Sequence, residues 1–108
     1  MKKIITALLS IAALNSVTVT ADTLDDVADR GTLRCGVVLD FPPIGYRDAN
    51  NEPAGFDVDY CHDLAKSLEV DVKIMPLTWS ERLPVIATGR ADVVFGGTSD
   101  SLARARTV

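Results

Sequence analysis

Three short stretches of this 108-residue chain carry residue types suited to gripping a small charged molecule: Asp40-Phe41, Trp79, and the run from Gly97 to Arg104. In the last of these, Gly96 and Gly97 permit a sharp backbone turn and close approach by a ligand. Thr98, Ser99, Asp100 and Ser101 are each able to cap a helix. Backbone N–H groups at such a helix start, with hydroxyls beside them, form an anion site. Arg104 follows about one turn later and can fork onto a carboxylate through two parallel hydrogen bonds. A plain strand–turn–helix with surface arginines accounts equally well for the spacing. Asp40 and Phe41 precede Pro42-Pro43, which stiffen their loop and bar it from a helix. A stiff wall costs less entropy to close on a ligand. The simpler alternatives are an ordinary turn aspartate and a core phenylalanine.

The elements that must position these residues alternate. Residues 23–30 carry a capping-box pattern, a short apolar stripe of Leu24, Val27 and Ala28, and a terminating Gly31. Residues 33–39 read as a strand, with Gly36 marking close packing. Residues 47–54 are a polar excursion or hairpin. From Asp57, taken as a cap, Val58, Cys61, Leu64, Ala65 and Leu68 recur at helical spacing. Residues 70–75 alternate as a second strand ended by Pro76. Ser80 is placed to cap a helix through Leu83, Val85, Ile86 and Ala87, with Pro84 tolerated near its first turn. Val93, Val94 and Phe95 read as a strand covered on both faces. The order predicts an α/β fold with a mostly parallel sheet flanked by helices. In such sheets ligands bind outside the carboxyl ends of the strands. Asp40, Phe41, Trp79 and the 97–104 turn all fall there. Two aromatic faces, a carboxylate and a guanidinium suit an amino-acid zwitterion. An ammonium on an aromatic face gains about 0.5–2 kcal/mol, and a charge-assisted bond to a carboxylate about 1.5–3 kcal/mol.

Composition narrows the alternatives. With 47% hydrophobic and 24% charged residues the chain is one globular unit. Its net charge of −4 argues against a nucleic-acid partner. There is no Ser–His–Asp set, zinc-ligand spacing or phosphate loop, and no cofactor is implied. Asp59, His62 and Asp63 have metal-ligating side chains, but helix starts collect aspartates for dipole reasons.

The first residues read as a secretion signal. Lys2 and Lys3 precede an apolar stretch, residues 4–14, too short to anchor in a bilayer. Val19-Thr20-Ala21 provides a cleavage site, so residues 1–21 are expected to be removed, leaving a domain of residues 22–108 with a net charge of −6. A buried N-terminal helix is the alternative. No cysteine stands at the cut, so a free, non-lipidated exported chain is expected. In the oxidising compartment that export reaches, Cys35 and Cys61 have one internal pairing open to them, worth about 3 kcal/mol. Two buried thiols remain the alternative.

Taken together, Leu33-Arg34-Cys35-Gly36-Val37, Asp40 with Pro42-Pro43, Gly55-Phe56-Asp57-Val58-Asp59, Arg82-Leu83-Pro84 with Gly89, Asp92-Val93-Val94 and the 97–104 turn resemble the N-terminal lobe of the family 3 bacterial periplasmic solute-binding proteins. These serve amino-acid ABC transporters. The resemblance implies a periplasmic-binding-protein-like lobe and a binding protein, not an enzyme. It places the ligand carboxylate on Arg104 and the Ser99 N–H, and the ammonium on the Gly97 carbonyl and Ser99 hydroxyl. Trp79 and Phe41 become facing walls, and Asp40 reaches the distal end of the ligand. Ser99 and Ser101 stand where the family usually has threonine. A family subset carries both cysteines, which favours the Cys35–Cys61 disulfide. The implied ligand is a polar or charged amino acid, the implied partner an inner-membrane permease, the implied location the periplasm, and the implied state a monomer. The chain reads as truncated before the family's second lobe, which predicts weak or absent binding alone. A cyclohexadienyl or arogenate dehydratase on the same fold, with Asp40 or Glu81 as general acid, and a ligand-sensing domain are the other readings.

Overall fold

The computed structural model describes residues 22–108; the signal expected over residues 1–21 lies outside them. Nine elements follow in order: α1 (Thr23–Arg30), β1 (Thr32–Val38), β2 (Tyr46–Arg47), β3 (Pro53–Ala54), α2 (Phe56–Ser67), β4 (Asp71–Leu77), α3 (Arg82–Ala87), β5 (Val93–Phe95) and α4 (Leu102–Ala105). β1 is central in a parallel sheet of order β4-β1-β5, with Cys35 level with Ile74 on one side and Val93 on the other. β2 and β3 form an antiparallel hairpin from the polar excursion. This is the open parallel sheet with flanking helices that the alternation predicts.

Pairing on both sides explains why β1 is the most buried strand. Leu33, Cys35 and Val37 pack with Val58, Cys61 and Ala65 of α2 in two adjoining clusters. The Cys35–Cys61 disulfide joins strand to helix, its Cα atoms 6.0 Å apart, within the span a disulfide accepts. A side chain at Gly36 would meet Leu77 and Val94, which lean over it from both neighbours. At the amino end of the sheet, the Asp92 carboxylate accepts from Arg34 N at 2.7 Å and Nη2 at 2.8 Å, and from Arg30 Nη2 at 2.6 Å. Its side chain is 2% exposed. Burial pushes this carboxyl up, but the bonds from Arg34 and then Arg30 outweigh it and hold it below its usual value.

Several local expectations are corrected. Pro76 lies inside β4 rather than ending it. β4 is an edge strand, where a missing N–H is tolerated. β5 is half-buried rather than covered on both faces, because it is the other edge. In α1 only Val27 is buried, while Leu24 and Ala28 stay exposed. That helix ends as expected, at Gly31 in the left-handed region (φ 72°), whose N–H donates to Val27 O. The cap of α2 is Gly55, not Asp57. The Phe56 and Asp57 N–H groups donate to Pro43 and Ile44 carbonyls. Asp57 is therefore drawn inward and buried, its Oδ2 without a partner among the described residues, and burial pushes its carboxyl up.

Candidate functional site

The loop after β1 holds itself rigid. Phe41 N donates to Gly45 O (2.9 Å), and Gly45 N to Phe41 O (3.0 Å). Phe41 stands half exposed at 50%, outside the core. Asp40 precedes it, also exposed, at the carboxyl end of the central strand.

Trp79 reaches this loop from the end of β4. Its Nε1 donates to Asp40 Oδ2 at 3.1 Å. Its ring meets Phe41 edge-on, with centroids 5.9 Å apart and planes at 73°, a geometry the ring quadrupoles favour. Asp40 Oδ1 has no partner among the described residues. The start of α3 departs from expectation: Glu81, not Ser80, is the cap residue. Its Oε2 accepts from Thr78 N at 2.8 Å and from Thr78 Oγ1 at 2.9 Å. These bonds, the backbone one foremost, pull Glu81 below its usual value.

The third wall follows β5. Gly96 (φ 142°) and Gly97 (φ 57°) adopt backbone angles that L side chains rarely take. A Cβ on Gly96 would press on Val38 Cγ2 at 3.1 Å and approach Arg82 Cδ at 3.5 Å. Arg104 Nη1 donates to both the carbonyl and the hydroxyl of Ser99, each at 2.7 Å. Nε and Nη2 of Arg104 make no hydrogen bond among the described residues, which leaves donors for a carboxylate. The helix at the expected anion site is short. α4 is a single turn, and the Arg104 N–H donates to the Ser101 side chain at 3.2 Å.

Arg82 joins the walls. Its Nε donates to Trp79 O (2.9 Å), and its Nη1 to Gly96 O (2.8 Å) and Thr98 Oγ1 (3.0 Å). Its guanidinium carbon lies 5.0 Å from the Trp79 ring centroid. Asp40, Phe41, Trp79 and the glycine turn are thus in one connected set. Ser99 and Arg104 belong to the same turn, although no hydrogen bond joins Arg104 to Asp40 or Trp79 among the described residues. In the sequence, Arg82 stands in the Arg82-Leu83-Pro84 motif with no role of its own. Its place three residues after the single tryptophan was the one available signal. At the opposite, amino end of the sheet, Leu24, Val27, Leu33, Leu64, Leu68 and Val93 line an apolar cavity of about 340 Å³. Asp92, at its margin, is already engaged by its two arginines.

Residues 33–108 match the profile of the bacterial extracellular solute-binding proteins, family 3. A cyclohexadienyl dehydratase from Pseudomonas aeruginosa is 33% identical over 97% of this chain and 40% of its own length. A putative amino-acid ABC transporter-binding protein from Escherichia coli K12 is 32% identical over 92% of this chain and 31% of its own. The chain therefore spans about a third to two fifths of these relatives. Among solved structures, an ancestral cationic amino acid solute-binding protein superposes with a TM-score of 0.73 at 39% identity, over 79% of this chain and 37% of that one. Domain 1 of TmArgBP in its arginine-bound form gives 0.72 at 34% identity, over 76% of this chain and 65% of that one.

Proposed function

Because the chain belongs to family 3 of the bacterial extracellular solute-binding proteins, we propose that it captures a charged amino acid, most favourably one with a basic side chain, for an ABC transporter. The observation that carries this reading is the connected rim of Asp40, Phe41, Trp79 and the Arg104 turn at the carboxyl ends of three parallel strands. Arg104, with the Ser99 N–H, takes the ligand carboxylate. The Gly97 carbonyl and Ser99 hydroxyl take the ammonium. Phe41 and Trp79 flank the side chain, and the open oxygen of Asp40 meets its positive end. The proposal includes export to the periplasm through residues 1–21 and delivery to an inner-membrane permease. The similarity to an ancestral cationic amino acid solute-binding protein supports the basic ligand. The arginine-bound form of an isolated first domain supports capture by one lobe, in place of the weak or absent binding expected of a chain that stops before the second lobe.

A second reading, a cyclohexadienyl dehydratase, is favoured by the Pseudomonas relative that aligns along nearly the whole chain. Against it, Glu81, one of two acid candidates, already accepts two hydrogen bonds from Thr78 through Oε2. A thermal-shift panel of the twenty amino acids, run beside a prephenate turnover assay, separates the two. The transport reading expects a rise in melting temperature with arginine or lysine and no product. Product without an amino-acid shift contradicts it.

A further inference from the structure

We propose that Arg82 is a positioning residue for the ligand, one that locks the glycine turn to the aromatic wall; this rests on the binding reading above. Three acceptors from two strand ends converge on its guanidinium: Trp79 O, Gly96 O and Thr98 Oγ1. The same group lies over the Trp79 ring. Trp79 in turn holds Asp40 through its indole N–H. One side chain therefore sets the separation between the groups assigned to the ligand carboxylate and those assigned to its distal charge.

The surroundings fit this task. Arg82 is half-buried, and Gly96 beneath it is buried. The space a Cβ at position 96 would take is bounded by Val38 and the Arg82 stem. Thr98 and Ser99 are adjacent, so holding Thr98 also holds the residue to which Arg104 donates. Without Arg82, a turn with two glycines at positive φ has little to stop it swinging from the indole. A planar fork serves three acceptors at once, which an ammonium does not reproduce. Lysine retains charge over the ring but loses the simultaneous bonds.

The test uses the full chain as Arg82→Met and Arg82→Lys, with Trp79, the single tryptophan, as reporter. Titration with arginine is expected to show at least a tenfold rise in Kd for Arg82→Met and a smaller rise for Arg82→Lys, while melting temperatures stay within a few degrees. In the ligand-free proteins, acrylamide quenching of Trp79 should rise in the same order. Equal Kd and equal quenching in all three proteins overturn the proposal. So does a Kd that rises only in proportion to lost stability. If the unaltered chain binds no amino acid, the binding reading fails, and quenching alone still decides whether Arg82 positions the wall. If Arg82→Met does not fold, quenching in Arg82→Lys decides: a rise supports the proposal and no change overturns it.

Discussion

Reduction of the Cys35–Cys61 bond should cost this domain much of its stability. The bond closes a loop with a sequence separation of 26. The loop-closure entropy removed from the unfolded chain corresponds to about 3.5 kcal/mol at 25 °C. Both cysteines are fully buried among Val37 and Val58, so the thiols left by reduction fill nearly the same space and add little cavity cost. Reduction is therefore a cleaner perturbation than replacement by alanine, which also removes packed sulfur. A small domain loses about 1 kcal/mol of stability per molar urea. The urea midpoint, read from Trp79 fluorescence, should then fall by about 3.5 M once the protein has been reduced in denaturant and refolded with reductant present. Thiol titration establishes that the bond is open. An unchanged midpoint with both thiols titratable would refute the entropic argument.

Replacing Asp92 by Asn should cost about 2–4 kcal/mol at neutral pH, because a buried acceptor of two arginines loses its charge. The folded Asp92 carboxyl titrates below its usual value, so its contribution is present above about pH 4 and disappears as pH falls through the folded pKa. Urea midpoints against pH should accordingly fall less steeply in acid for Asp92→Asn than for the unaltered chain. Asp57 has the opposite sign. Its carboxyl is raised by burial, so the charged form weakens the fold as pH rises, and Asp57→Asn should gain about 0.5–1 kcal/mol at pH 7 in the same assay. Gly45→Ala would set a Cβ against the Val38 carbonyl oxygen; backbone meets it, so a loss of at least about 2 kcal/mol is expected in denaturant titration.

The architecture was legible because its signals are local. Apolar residues at helical spacing marked α2, and short apolar runs marked β1 and β5, and these local signals suffice to put Asp40, Trp79 and the 97–104 turn at the carboxyl ends of the strands. The failures occurred where tertiary partners decide. Pro76 reads as a strand stop, yet it sits on an edge where no N–H is required. Asp57 reads as a cap, but the carbonyls of Pro43 and Ile44 already take the first N–H groups of the helix. Ser80 reads as a cap, but Glu81 reaches back to Thr78. Arg82 shows the limit most clearly. Its partners at Gly96 and Thr98 come from another strand end, and no local pattern links them to it. Arg30, Arg34 and Asp92 form a comparable set across sixty residues of sequence. The disulfide was one of two readings open to a pair of cysteines, and the packing of α2 on β1 brings the pair together.

The central claim is tested most directly by following backbone and indole amide resonances during titration of the labelled protein with arginine. Saturable shifts confined to the Trp79 indole N–H, Gly97, Ser99 and Arg104, with the Asp40 loop moving alongside, are the expected result. Shifts confined instead to Leu24, Leu64 and their neighbours around the apolar cavity, or no shifts with any amino acid at millimolar concentration, would contradict it.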